Sequence, residues 1–119
     1  MSSFADPPLD AAGPPAVVLV LTTLPLAADA EAFAEALVEE RLAACVGLGP
    51  PMTSVYRWQG AVERAQERQV VVKTVRAKVP LIEARVAGLH PYDVPELLVL
   101  PVEGGGAAYL AWVRECTGS

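Results

Sequence analysis

The chain is poor in residues that announce chemistry. Its 119 residues include one histidine, His90, two cysteines, Cys45 and Cys116, and few aromatics. A lone histidine cannot build a histidine-rich metal centre, and two distant cysteines do not make the disulfide scaffold of a small secreted protein, so a reduced compartment is expected. The nine basic residues form no run, and the net charge of -5 repels a phosphate backbone. Nucleic acid is therefore not an expected partner. A basic amphipathic segment for a membrane surface is missing too. Ala16–Leu21, "AVVLVL", is apolar but too short to cross a bilayer. Asp6 and Asp10 precede it instead of a positive segment, which argues against a signal peptide. The expected location is cytoplasmic, with no membrane partner. There is no Ser/His/Asp grouping, phosphate loop or dinucleotide fingerprint. An enzyme of unknown reaction stays open as a further reading: a Cys45–His90 nucleophilic pair is conceivable, although nothing in the sequence places the two within reach.

What the chain does contain is core material: 53% of its residues are hydrophobic. A single domain of this size buries about two thirds of the surface its unfolded form exposes. Residues 1–15 are small, polar and proline-rich and read as a loose tail; residues 16–119 read as the folded domain. Val17–Thr22 is a β-branched run for a central strand. A helix is predicted over about 28–43, with Ala30, Phe33, Ala34, Leu37 and Val38 on one side and Asp29 as a cap. Cys45–Gly49 reads as a short strand ended by Pro50-Pro51. Thr53–Gln59 follows, with Tyr56 and Trp58 on one face and Arg57 on the other. Gly60 marks a tight turn into a long return strand over 61–75.

A second helix is predicted over about 79–89, then a strand "ELLVL", then a short helix with Tyr109, Trp112, Val113 and Cys116 along one side. The order is β-α-β-β-α-β plus a C-terminal helix, an α+β fold of the ferredoxin-like split βαβ kind. The long hairpin, polar in its outer half, reaches past any core this chain can make, and the strands of the sheet are apolar enough that the face away from the helices should be covered as well. Both features point to self-association.

The segment His90–Glu96, "HPYDVPE", raises the question of function. Both His90 and Val94 precede a proline, so both are pushed to extended backbone and the helix should stop at His90. The side chains admit two readings. His90 either closes the helix end through a hydrogen bond or offers a ring nitrogen to a metal. Tyr92 packs or donates a hydrogen bond beside it. Cys45 is either a small buried hydrophobe or a thiolate for a soft ion. One Cys and one His cannot complete a site of about four ligands, so a carboxylate, a water or a neighbouring chain must contribute. Glu63, Glu67 and Lys73 share a strand parity, but Glu67 and Lys73 stand about 20 Å apart along a straight strand. Lys73 is flanked by apolar residues, so its charge needs a partner. Trp58, near the hairpin tip, suits packing or a partner contact.

Three stretches, "EERLAACVGL" (Glu39–Leu48), "TSVYRWQG" (Thr53–Gly60) and "HPYDVPELLVLPVEGG" (His90–Gly105), resemble the CutA family of divalent-cation tolerance proteins. The resemblance covers about residues 16–115. It implies a ferredoxin-like homotrimer packed through the long hairpin, similar to the trimers of PII signalling proteins. It also implies divalent metal, copper in particular, as the bound partner. On that basis His90, Cys45 and Glu67 are the expected metal ligands, at clefts between subunits. The alternative is a PII-like sensor that binds a small anionic effector with Lys73, in a cleft with Glu67, Trp58 and Tyr92.

Overall fold

A computed structural model describes residues 13–90 and 93–118. The tail expected over 1–15 therefore lies mostly outside the described residues. The elements run β1 (Val17–Pro25), α1 (Ala30–Glu39), β2 (Cys45–Trp58), β3 (Ala61–Val75), a 3-10 turn (Arg76–Lys78), α2 (Val79–Leu89), β4 (Leu98–Pro101) and α3 (Ala107–Cys116). The strands form one antiparallel sheet in the order β2-β3-β1-β4.

The alternation of β1 and β3 divides the sheet into two unlike faces. One carries Val18, Val20, Leu24, Val70 and Val72, all fully buried. They pack with Leu37 of α1 and Val79, Ile82 and Val86 of α2 into the main core. Burial of each of these side chains contributes about 1.5–3 kcal/mol. The opposite face carries Leu19, Leu21 and Val71, and, by register, Leu98 and Leu100 beside them. Helix α3 covers one end of that face, where Val113 packs with Val17 and Val75. The rest is uncovered: Leu98 is 55% and Leu100 40% exposed.

Helix α1 is shorter than expected. The Asp29 carboxylate accepts a hydrogen bond from the Ala32 N–H at 3.0 Å and fixes its start. Its end comes at Glu39, because Arg41 turns to positive φ and the Leu42 N–H returns to the Leu37 carbonyl at 2.9 Å. Val38, expected in the core, is 43% exposed. On α3 the expected apolar side is likewise reduced to Val113 and the half-buried Cys116, since Tyr109 and Trp112 are 45% and 41% exposed.

The pair Pro50-Pro51 does not end β2. The strand runs through it, and the register shifts between Leu48 and Pro51 as a bulge absorbs the residues that cannot donate. Trp58 pairs with Ala61 across the turn, and Gln59 and Gly60 both have positive φ, 48° and 83°. That is the two-residue turn whose twist suits a hairpin. Beyond β1, which pairs with β3 only from Glu67 to Val75, the hairpin continues as a two-stranded arm. The arm accounts for the elongated 47 × 29 × 24 Å shape.

One buried polar contact ties the loop after α1 to the sheet. The Thr74 hydroxyl donates to the Leu42 carbonyl at 2.6 Å. Thr74→Val keeps the shape and removes the donor, and is expected to lower unfolding stability by about 1–2 kcal/mol in denaturant titration.

Candidate functional site

Where the arm leaves the sheet, it faces the chain segment between α2 and β4. Between them lies an open cleft of about 630 Å³. Ser54, Tyr56 and Trp58 line it from β2, three alternate residues that the period of two places on one face. Glu67 enters from β3 and Thr23 from β1; Asp93, Val94 and Glu96 form the opposing wall. Among the described residues the lining holds three carboxylates and no Lys, Arg or His, so the cleft carries negative charge.

Its wall is fixed by hydrogen bonds. The Thr22 hydroxyl donates to the Glu96 carbonyl at 2.7 Å. The Gln69 amide donates to the Thr22 carbonyl at 3.1 Å and to one Glu96 carboxylate oxygen at 3.3 Å. The Arg68 guanidinium donates to the Gly49 carbonyl at 2.8 Å and holds the bulge in β2. Glu67 differs from Glu96. It is 7% exposed, and its carboxylate accepts no hydrogen bond and makes no ion pair among the described residues.

His90 ends α2 with φ -81° and ψ 133°, the extended backbone its proline neighbour imposes. Its ring is buried, and Nε2 lies 2.5 Å from the Thr23 carbonyl. A carbonyl only accepts, so Nε2 carries the proton and donates. His90 thus pins the end of α2 to the end of β1, behind the cleft, and sets where the Asp93–Glu96 wall begins. Of the two readings of this residue, the hydrogen-bonded helix closure is the one seen within a protomer.

Lys73 and Cys45 lie elsewhere. They are register partners on β3 and β2, on the face of the sheet that α3 partly covers. The Lys73 ammonium donates to the Tyr109 hydroxyl at 3.2 Å and lies 5.4 Å from the centre of that ring. Tyr109 in turn packs against Trp112 at 5.4 Å. The hydrogen bond to Tyr109, then the charges Tyr109 and Cys45 acquire on deprotonation, raise the Lys73 pKa above its ordinary 10.5. A raised folded-state pKa favours the fold at every pH below the unfolded value; the gain is lost only as pH climbs through the raised one. The contribution of this contact is therefore constant across the neutral range.

One protomer does not bring the expected site residues together. Glu67 and Trp58 share the cleft; His90 stands behind it. Cys45 pairs with Lys73, four residues along β3 from Gln69, the partner of Thr23, so it sits about 13 Å from the level of His90. Tyr92 lies outside the described residues. Among those residues no group of three or more His, Cys, Asp and Glu is close enough to hold a metal ion. Sequence reasoning missed Ser54, Asp93 and Glu96 as lining residues. The strand parity that paired Tyr56 with Trp58 was the available signal for Ser54, while the wall residues depend on how the segment after Pro91 folds back.

The fold and cleft define an α+β protein with an acidic cleft beside an uncovered sheet face. Comparison with known proteins gives the family. The family profile of the CutA1 divalent ion tolerance protein matches residues 18–116. The divalent-cation tolerance protein CutA of Thermus thermophilus is 51% identical over 100 residues, covering 84% of this chain and 97% of its own. The human protein CutA is 43% identical over 106 residues, 89% of this chain but 59% of its own length. The solved structure of the divalent cation tolerance protein (Cut A1) from Thermus thermophilus superposes with a TM-score of 0.81 at 50% identity, covering 86% of this chain and 99% of that one. The chain belongs to the CutA1 divalent ion tolerance family.

His90→Ala leaves the Thr23 carbonyl without this donor. It is expected to cost about 1–3 kcal/mol of stability and to raise amide hydrogen exchange in the Asp93–Glu96 wall before other regions.

Proposed function

We propose that the chain assembles as a cytoplasmic homotrimer of ferredoxin-like protomers and binds divalent cations, copper among them, at clefts completed by a neighbouring protomer, in the service of divalent-ion tolerance. The observation that carries this reading is Glu67, 7% exposed and without a hydrogen-bonding or ionic partner among the described residues, in an acidic cleft that opens beside an uncovered apolar face. A carboxylate that faces such a cleft beside two others favours a cation as its partner. The strand order β2-β3-β1-β4 supports the split βαβ assignment. Leu98 and Leu100, exposed beside Leu19 and Leu21, support association, because a contiguous apolar sheet face in water favours burial against a second copy. The two-stranded arm supports it too, since such a ribbon is marginal by itself.

Glu67 is the ligand the geometry favours. His90 serves the site by holding its wall, and Cys45 joins an ion only across a subunit boundary. No helix among the described residues is long and apolar enough to cross a membrane. A second reading, a PII-like sensor of a small anionic effector, has its own support in Lys73, which Tyr109 orients on the same sheet face, at the end that α3 partly covers.

Two measurements test the proposal. Light scattering is expected to give three times the protomer mass, and Leu98→Arg with Leu100→Arg to shift it toward the monomer; a well-folded lone protomer at micromolar dilution rejects the assembly. Calorimetric titration with divalent ions is expected to lose about tenfold in affinity in Glu67→Gln. Unchanged affinity rejects the site. A metabolite anion whose binding vanishes in Lys73→Ala, with no ion bound, favours the sensor.

A further inference from the structure

We infer that Gln69 is a positioning residue of the cation site: its side-chain amide holds Glu96 in place as a second carboxylate ligand beside Glu67. The inference rests on the reading of this cleft as a divalent-cation site completed by a neighbouring protomer. It concerns what one protomer brings to that site.

The register of β3 sets the arrangement. Gln69 stands two residues from Glu67 on the same face of the strand, about 7 Å along it. Glu67 lines the cleft and Gln69 does not. Glu96, in the opposing wall, is fastened at both ends. Its backbone carbonyl accepts from the Thr22 hydroxyl at 2.7 Å, and one carboxylate oxygen accepts from the Gln69 amide at 3.3 Å. The same amide nitrogen donates to the Thr22 carbonyl at 3.1 Å. Both partners are acceptors, so the Gln69 amide can stand only one way round, with its two N–H groups spent on them. The other carboxylate oxygen of Glu96 accepts no hydrogen bond among the described residues. None of these contacts involves the two-stranded arm, so a neighbour packed against the arm leaves them in place.

The choice of an amide decides the role. A lysine or arginine in its place would hold Glu96 more strongly but cancel its charge. Glutamine is a neutral donor, so Glu96 is held and still presents a full negative charge to the cleft. A loose glutamate loses rotamer freedom when it ligates an ion; one already fastened has lost it on folding. With one oxygen occupied, Glu96 offers the other, and Glu67 offers both of its own. Among the described residues no three of His, Cys, Asp and Glu are close enough to hold an ion. One protomer thus supplies a pair of carboxylates, and water and the neighbour complete the shell.

The full chain, in the assembly it forms, would be titrated with Mn²⁺ and with Cu²⁺ by calorimetry, and the waters on bound Mn²⁺ counted by pulsed electron paramagnetic resonance. Glu96→Gln is expected to weaken binding about tenfold or more, and Gln69→Leu about tenfold. Added to Glu96→Gln, Gln69→Leu is expected to change nothing further, because it acts through Glu96. Bound Mn²⁺ is expected to gain one water in Gln69→Leu. An equal loss for Gln69→Leu in both backgrounds would mark a general structural effect and overturn the inference. Gln69→Lys, which keeps a donor for the Thr22 carbonyl, stands in if Gln69→Leu fails to fold; it is expected to weaken binding at least as much, and unchanged affinity there would likewise overturn the role. Binding that Glu67→Gln weakens but no change at Gln69 or Glu96 affects would reject the inference and leave the cation site standing. Failure of both ions to bind the unsubstituted chain would reject the site and the role together.

Discussion

Strand β3 organises this molecule. It is the only strand hydrogen-bonded to both β1 and β2, and its alternation sends Val70, Val72 and Thr74 toward the helices and Glu67, Gln69, Val71 and Lys73 toward the other side. A one-residue slip would exchange the two sets, burying a lysine and a glutamate under α1 and α2 and exposing the valines. The core therefore fixes the register, and the register in turn fixes where the ionisable residues stand. The site is in this sense a by-product of the packing on the opposite face.

That dependence explains how the two polar clusters are kept apart. Glu67 and Lys73 lie on one face of one strand, yet six residues of extended backbone prevent them from pairing. Each meets a separate fate: Lys73 is held by Tyr109 of α3, whereas Glu67 has no hydrogen-bonding or ionic partner among the described residues. The uncovered leucines fill the sheet between. A surface that places an unmet negative charge and a tethered positive charge at opposite ends of an apolar strip is well suited to a neighbour that reads both.

Much of this was legible in the sequence. A β-branched apolar run located β1, the turn at Gly60 and the apolar second half of the return strand located β3, and the proline after His90 located the end of α2. The parity of Tyr56 and Trp58 was correct because no bulge falls between them. The failures have identifiable physical causes. Pro50-Pro51 was expected to end a strand, but an edge strand has one side without hydrogen bonds and a bulge can accommodate both rings. Helix α1 was drawn too long because nothing in "EERLAAC" reveals that Arg41 takes the left-handed turn usually given to glycine. The hydrogen bond from His90 to Thr23 spans 67 positions in sequence, and local pattern carries no trace of it. The cleft wall escaped for the same reason.

The kink at Pro50-Pro51 has a consequence for how this chain behaves in a crowded solution. Strand β2 is the outer rail of the sheet, and a long straight rail with every amide free would seed stacking of chain upon chain into fibrils. Two imide rings in its middle remove adjacent donors and bend the rail, so an incoming strand can zip along one half but not run on through the other. The same irregularity thus acts as a stop against runaway aggregation.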